Sequence, residues 1–278
     1  MMSIVEDKWR LFLLCVLAAF AAVGIAGQWI APYDPYELQL RKAFAPPSAS
    51  HVFGTDQFGR DIASRTMLAT AVTLKISMIA ILVALVVGVP LGMFAGYAGG
   101  RVDAAAMRMT DLLLIFPPIL LAIIVVAVVG PNESGVTAAL GVYATPQFIR
   151  IARASTLSVK QQLYVEASVA LGSGPADIIL RAVWPNISAP IIAQATLMLP
   201  VLVLSSSALS FLGLGVQPPT PEWGAMLSEA RNFLRHAPHL IIGPGLALFA
   251  FVLASSLLGD SIQAVIDPRA STRVGAGL

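Results

Sequence analysis

The stretch Gln161–Asn186, QQLYVEASVALGSGPADIILRAVWPN, decides how this chain is read. It lies between two strongly apolar segments, yet it is too long and too polar to be a simple turn. Tyr164, Ala167, Ser168 and Leu171 recur at helical spacing and give a narrow face. Gly172 and Gly174 break that helix. Pro175 then stands where the first turn of a second helix accepts it, because that position needs no backbone N–H. Pro185 closes the segment. The pattern predicts two short helices at an angle, with Glu166 exposed on the first, outside the bilayer. A second physical reading, an amphipathic helix lying on the membrane, uses the same spacing.

Composition sets the surroundings of this segment. Of the 278 residues 57% are hydrophobic and 12% charged, and the mean hydropathy is +0.82. Soluble domains carry about 25% charged residues, so half that share leaves too few charges to cover a water-facing surface. The formal net charge of +2 gives no support to nucleic acid as a partner. Cys15 is the single cysteine and lies in an apolar run, so no internal disulfide forms. His51, His236 and His239 are too few and too separated for a metal cluster, and no metal ligand set is expected.

A helix needs about 20 mostly apolar residues to cross the bilayer core. Six candidate spans follow, at roughly Leu11–Ala31, Thr70–Ala95, Leu112–Val129, Val136–Ile151, Ala189–Leu212 and Leu240–Leu258. The fourth contains Pro146 and Gln147 and suits a helix shielded by protein. The first can be read as a cleaved signal peptide or as a retained anchor. Its apolar run is longer than a signal core, which favours the anchor. Lys8, Arg10, Arg101, Arg108, Arg150, Arg153, Lys160, Arg181, Arg269 and Arg273 fall on one side of these spans. Arg41, Lys42, Arg60, Arg65, Arg231 and Arg235 fall on the other. The bias places the N-terminus and the 161–186 loop in the cytoplasm. It places 32–69 and 213–239 outside, where the WGAMLSEARNFL stretch from Trp223 predicts a short helix on the outer surface.

Gly88, Gly92, Gly96 and Gly100 recur every fourth residue, and such a ridge lets another helix approach closely. Pro90 in the same span offers a hinge instead, and Pro117 and Pro118 predict a kink in the third span. Lys75 lies within the second span, where it either snorkels to the interface or marks a pathway or interface. Arg108 and Asp111 are expected to pair, and Asp260 reads as a boundary residue. The spans show neither a chain of carboxylates for a proton relay nor a ring of charge, which argues against a proton-coupled carrier or a selective channel. No Gly-rich phosphate loop followed by Lys-Ser or Lys-Thr occurs, and no catalytic residues are expected. Any energy for transport must come from another chain.

Glu166-Ala167-Ser168 followed by Gly172 and Pro185 resembles the EAA loop of inner-membrane permease subunits of bacterial ABC importers. Ser168, Ala182 and Trp184 depart from the family's usual alanine, isoleucine and leucine. FGTDQFGRD at Phe53–Asp61, SFLGLGVQPPTPEWG at Ser210–Gly224 and LLGDSIQAVIDPR at Leu257–Arg269 are similar to the dipeptide, oligopeptide and nickel permease group, and within it to the second, "C"-type permease. QWIAPYDP at Gln28–Pro35 and GGRVDAAAMR at Gly99–Arg108 also resemble the nickel or nickel-chelate subunits.

The resemblance implies an all-α membrane protein, a six-transmembrane-helix ABC importer permease bundle with a cytoplasmic coupling helix. It implies a domain order of 1–69 (anchor and periplasmic segment), 70–269 (permease core) and 270–278 (tail). The coupling residues it carries over are Tyr164, Glu166, Ala167, Ser168, Leu171, Gly172 and Pro185. The implied partners are a homologous permease, two ATPase subunits that bind ATP and Mg, an extracytoplasmic substrate-binding protein and the lipid bilayer. No cofactor is expected in this chain. The implied substrate is a dipeptide or oligopeptide, with nickel as the alternative and a self-contained channel or secondary carrier as the remote one.

Overall fold

The computed structural model describes residues 2–266, and the side chains from residue 8 onward. The expected tail 270–278, with Arg273, and the basic residue Arg269 lie outside the described residues. Among the described residues ten α-helices follow in chain order: α1 Met2–Ile30, α2 Ile62–Ala98, α3 Gly100–Ile115, α4 Pro118–Val129, α5 Glu133–Lys160, α6 Leu163–Ala170, α7 Pro175–Asp177, α8 Trp184–Phe211, α9 Trp223–Ala230 and α10 Ile242–Ile266. Among the described residues the extended pairing is limited to one isolated bridge, Thr55 with Asp61. A π-helical segment, Ile178–Val183, joins α7 to α8.

Four of these rods are long and apolar enough to cross a membrane: Lys8–Ile30, Ile62–Ala98, Pro175–Phe211 and Pro238–Ile266. α3 and α4 pass the same test only as a pair, bent by 94°. The bend falls at Phe116-Pro117-Pro118, where the prolines withhold backbone donors and push the preceding residue into extended backbone; Phe116 has ψ 130. The third expected span is therefore a broken one. The fourth is α5, 28 residues long with Pro146 inside it, and its polar content keeps it out of the apolar set.

α1 shows how the chain meets lipid. Trp9 is 50% and Trp29 73% exposed, and the twenty steps from one to the other span about 30 Å at 1.5 Å each. That is the thickness of the hydrocarbon core, with an aromatic ring at each boundary. Gly27 allows the far end of α1 onto α2, since a Cβ there would lie 3.0 Å from Met67 O.

Compactness divides the chain into two units. One comprises Met1–Ile79, Ala122–Leu140 and Leu199–Leu258; the other comprises Ala80–Leu121, Gly141–Met198 and Gly259–Leu278. The division falls within helices α2, α4, α5, α8 and α10. The first unit has a core of Ile62, Ala69, Val203, Trp223, Met226, Leu240 and Phe251. Trp223 is its centre, fully buried, with Phe20 at 5.9 Å edge-on and Phe251 at 6.1 Å. The sequence pattern put the helix from Trp223 on the outer surface; α9 is instead part of the core. Its small residues explain the difference: Gly224 lets α9 come so close to α8 that a Cβ would overlap the backbone of Ser207.

Candidate functional site

The 161–186 loop lies in the second unit. α5 ends at Lys160, whose Nζ donates to Tyr97 O at 2.6 Å. α6 follows directly, with Gln162 in extended backbone at its N-cap. Glu166 falls in the first turn of α6, where a carboxylate is favoured by the free N–H groups. The helix stops in a fully formed C-terminal lock: Gly172 N–H donates to Val169 O at 2.9 Å and Ser173 N–H to Ser168 O at 3.0 Å. That lock needs a left-handed residue, and Gly172 supplies it with φ +82. Gly174 and Pro175 then start α7.

Pro185 explains the π-helical segment that follows. Its nitrogen cannot donate and its ring crowds the carbonyl one turn back. The register widens just before it, and Trp184 N–H reaches Ile179 O. The corner of α6 and the π segment holds together on Val165, Ile178 and Val183, all buried.

The rest of α6 is bare. Leu163 is 81% and Leu171 87% exposed, and Tyr164, Glu166, Ala167 and Val169 are exposed with them. Exposed leucines at both ends of so short a helix leave an apolar surface uncovered in this chain. Ser168 is less exposed; its hydroxyl donates back to Tyr164 O at 2.9 Å. The four residues of the narrow face part company here. Tyr164 and Ser168 line a cleft of about 400 Å³ with Ser173, Asp177, Arg181 and Asn186, whereas Ala167 and Leu171 are not among its walls.

Two features hold the loop's stem. The first is the glycine ridge. A Cβ at Gly88 would lie 2.8 Å from Thr145 O, one at Gly92 2.8 Å from Ala152 Cβ, and one at Gly96 2.9 Å from Arg153 O. The ridge therefore lies against α5 of the same chain. The second is a pair of ionic braces between α5 and α3: Arg153 on Asp103, and Arg150 on Asp111 at 2.6 Å. Asp111 thus meets Arg150, whereas sequence spacing had paired it with Arg108.

In the first unit Lys75 pairs with Glu133 at 2.7 Å, with the lysine side chain 60% exposed. The FGTDQFGRD stretch builds a buried polar lattice. Asp56 accepts from Arg60 Nε at 2.6 Å, Asp61 from His51 Nδ1 at 2.9 Å, and Arg65 donates to Pro35 O at 3.1 Å. His51 and His239 each engage one ring nitrogen within this unit, His239 Nε2 lying 3.4 Å from Thr55 O. Among the described residues no group of three or more His, Cys, Asp or Glu could hold a metal. The residue that sequence reasoning missed is Glu222, fully buried at the start of α9. The signal was present, an acid just before an apolar helix start, but a surface helix hides no carboxylate.

Residues 88–272 match the family described as "Binding-protein-dependent transport system inner membrane component". The chain belongs to this family. Its relatives match over nearly the full length. The glutathione transport system permease protein GsiD of Escherichia coli is 41% identical, covering 95% of this chain and 90% of its own. The GsiD protein of Pectobacterium atrosepticum is 38% identical over 95% of this chain and 91% of its own. The di/tripeptide transport system permease protein DppC of Pseudomonas aeruginosa is 37% identical over 96% and 90%. Among solved structures, inward-facing conformations of the MetNI methionine ABC transporter match with TM-score 0.60, covering 73% of this chain and 96% of that one. At 18% identity the latter speaks to fold alone. As a member of this family the chain is a multi-pass inner-membrane permease subunit.

Proposed function

We propose that this permease is half of the translocation pathway of an ATP-driven importer of dipeptides or short oligopeptides in a bacterial cytoplasmic membrane. Its N-terminus and the 161–186 loop face the cytoplasm, where the loop docks on an ATPase chain. The observation that carries the coupling role is the α6 corner, where Leu163 and Leu171 stand bare on either side of Glu166. A groove with an apolar floor and a basic residue matches that surface. The substrate class rests on the names of the relatives, which are permeases for glutathione and for di- and tripeptides. A homologous permease completes the pathway, two ATPase subunits bind ATP and Mg, and an extracytoplasmic binding protein delivers the peptide.

ATP closure of the ATPase pair moves α6. The braced stem of α5 transmits that movement, because the ridge leaves no slack between α2 and α5. The test is uptake by vesicles holding the assembled complex and its binding protein, with labelled dipeptide, tripeptide, glutathione and nickel supplied in turn. Peptide uptake that requires ATP is the expected result. Nickel uptake without peptide uptake, or flux through this chain without ATP, contradicts the reading.

A further inference from the structure

Glu222 is fully buried at the N-cap of α9. Its Oε2 accepts from Ala225 N–H at 2.9 Å. Its Oε1 accepts from the hydroxyl of Thr73 on α2 at 3.1 Å and from that of Ser207 on α8 at 3.2 Å. One carboxyl therefore ties the first turn of α9 to two long helices of the same unit. Trp223, the next residue, donates its indole N–H to Thr66 O at 3.3 Å.

Among the described residues the hydrogen-bond partners of Glu222 are all uncharged. α8 carries no charged residue, and α10 carries only Asp260, which lies in the other unit. On α2, Arg65 serves Pro35 O and Pro219 O and lies 3.6 Å from Asp56, while Lys75 is paired with Glu133. On α9 itself Glu229 meets Arg60 at 3.4 Å, and Arg231 beyond it lies over the Phe211 ring. From α1 and α10 the groups at Trp223 are Phe20 and Phe251. A buried carboxylate without a cation is costly. Its partners are uncharged hydroxyls and one backbone N–H, and burial without a cation favours the neutral acid.

We propose that Glu222 is a proton-binding site that latches α9: the neutral acid holds the helix on α2 and α8, and loss of the proton to solvent releases its first turn. Burial pushes this carboxyl above the ordinary glutamate range, opposed by its hydrogen bonds to Ala225, Ser210, Thr73 and Ser207. The stabilisation is thus full below the ordinary value and is lost as pH rises through the folded one.

Amide hydrogen exchange of 222–230 in the full chain, corrected for the intrinsic pH dependence, tests the latch between about pH 5 and pH 9. Wild type is expected to lose protection about tenfold or more across that range. Glu222→Gln, neutral at every pH and of the same shape, is expected to remain protected throughout. Constant protection in wild type, or an unchanged pH response in Glu222→Gln, overturns the proposal. Should Glu222→Gln not fold, infrared difference spectra of wild type decide: a protonated-acid band near neutral pH that is lost as pH rises is expected. Absence of that band at pH values below the release overturns the latch.

Discussion

The glycine at position 92 lies so close to Ala152 that a Cβ added to it would stand 2.8 Å from the Cβ of that alanine. The same added carbon would also overlap the carbonyl of Ile149. Both obstacles are short and stiff, one of them backbone, so neither can swing aside.

Replacing Gly92 by Leu is therefore expected to force α2 and α5 apart. Overpacking of this kind costs about 1–3 kcal/mol, and a clash with backbone belongs at the upper end. The thermal midpoint of the purified permease should fall, and less assembled complex should be recovered. Gly174→Ala is the control, because Gly174 has φ −71 and open space around its Cβ position. An unchanged midpoint for Gly92→Leu means that the ridge does not bear on α5.

Gly172 presents the opposite case. Its Cβ position is open, yet φ is +82. The penalty for Leu there comes from the backbone alone, about 1–2 kcal/mol. Asn tolerates the left-handed region and keeps the lock. Gly172→Leu is expected to lower peptide uptake per ATP hydrolysed while the chain still inserts, and Gly172→Asn to retain most of the coupling. Equal losses in both would assign the effect to side-chain bulk at the contact, not to the bend.

The two braces between α3 and α5 should behave differently. Arg153 grips Asp103 with two guanidinium nitrogens, and the side chains are 29% and 18% exposed. Arg150 and Asp111 are 52% and 55% exposed. Charge-assisted, paired hydrogen bonds outlast solvent competition, whereas an exposed pair contributes little. Asp103→Ala is expected to cost about 1–2 kcal/mol, and Asp111→Ala less than about 0.5 kcal/mol. Midpoints of the two variants at low and high salt check the order, and a larger loss for Asp111→Ala contradicts it.

Much of this was legible in the residues. Long apolar runs read as helical spans. Four of the six expected ones stand as long apolar helices among the described residues, whereas the third is broken at Pro117-Pro118 and α5 is too polar to join them. Gly172 and Pro175 marked the corner, the glycine because it enters the left-handed region without strain and the proline because its fixed φ suits the first turn of a helix. Other features depend on distant partners. Asp111 meets Arg150, thirty-nine positions away, and local spacing favoured Arg108 instead. α9 looks amphipathic, and only the close approach of Gly224 to Ser207 draws it into the core. Glu222 escaped for the same reason, since its burial comes from α2 and α8. The face of α6 was also misjudged: helical spacing grouped Tyr164 and Ser168 with Leu171, but the π segment beside them makes a cleft for the first two and leaves Leu171 outside.

The α6 corner is the proposed meeting point of permease and ATPase. Site-directed cross-linking addresses it most directly. A cysteine at Leu171, 87% exposed, would be paired with single cysteines across the membrane-facing groove of the ATPase. The native Cys15, also exposed, would first be changed to Ser. A specific cross-link is expected in the assembled complex, one that changes in yield between nucleotide-free and ATP-bound states and is weakened by Glu166→Lys. A transporting complex with no cross-link from Leu171→Cys at any groove position, and normal uptake per ATP in Glu166→Lys, would contradict it.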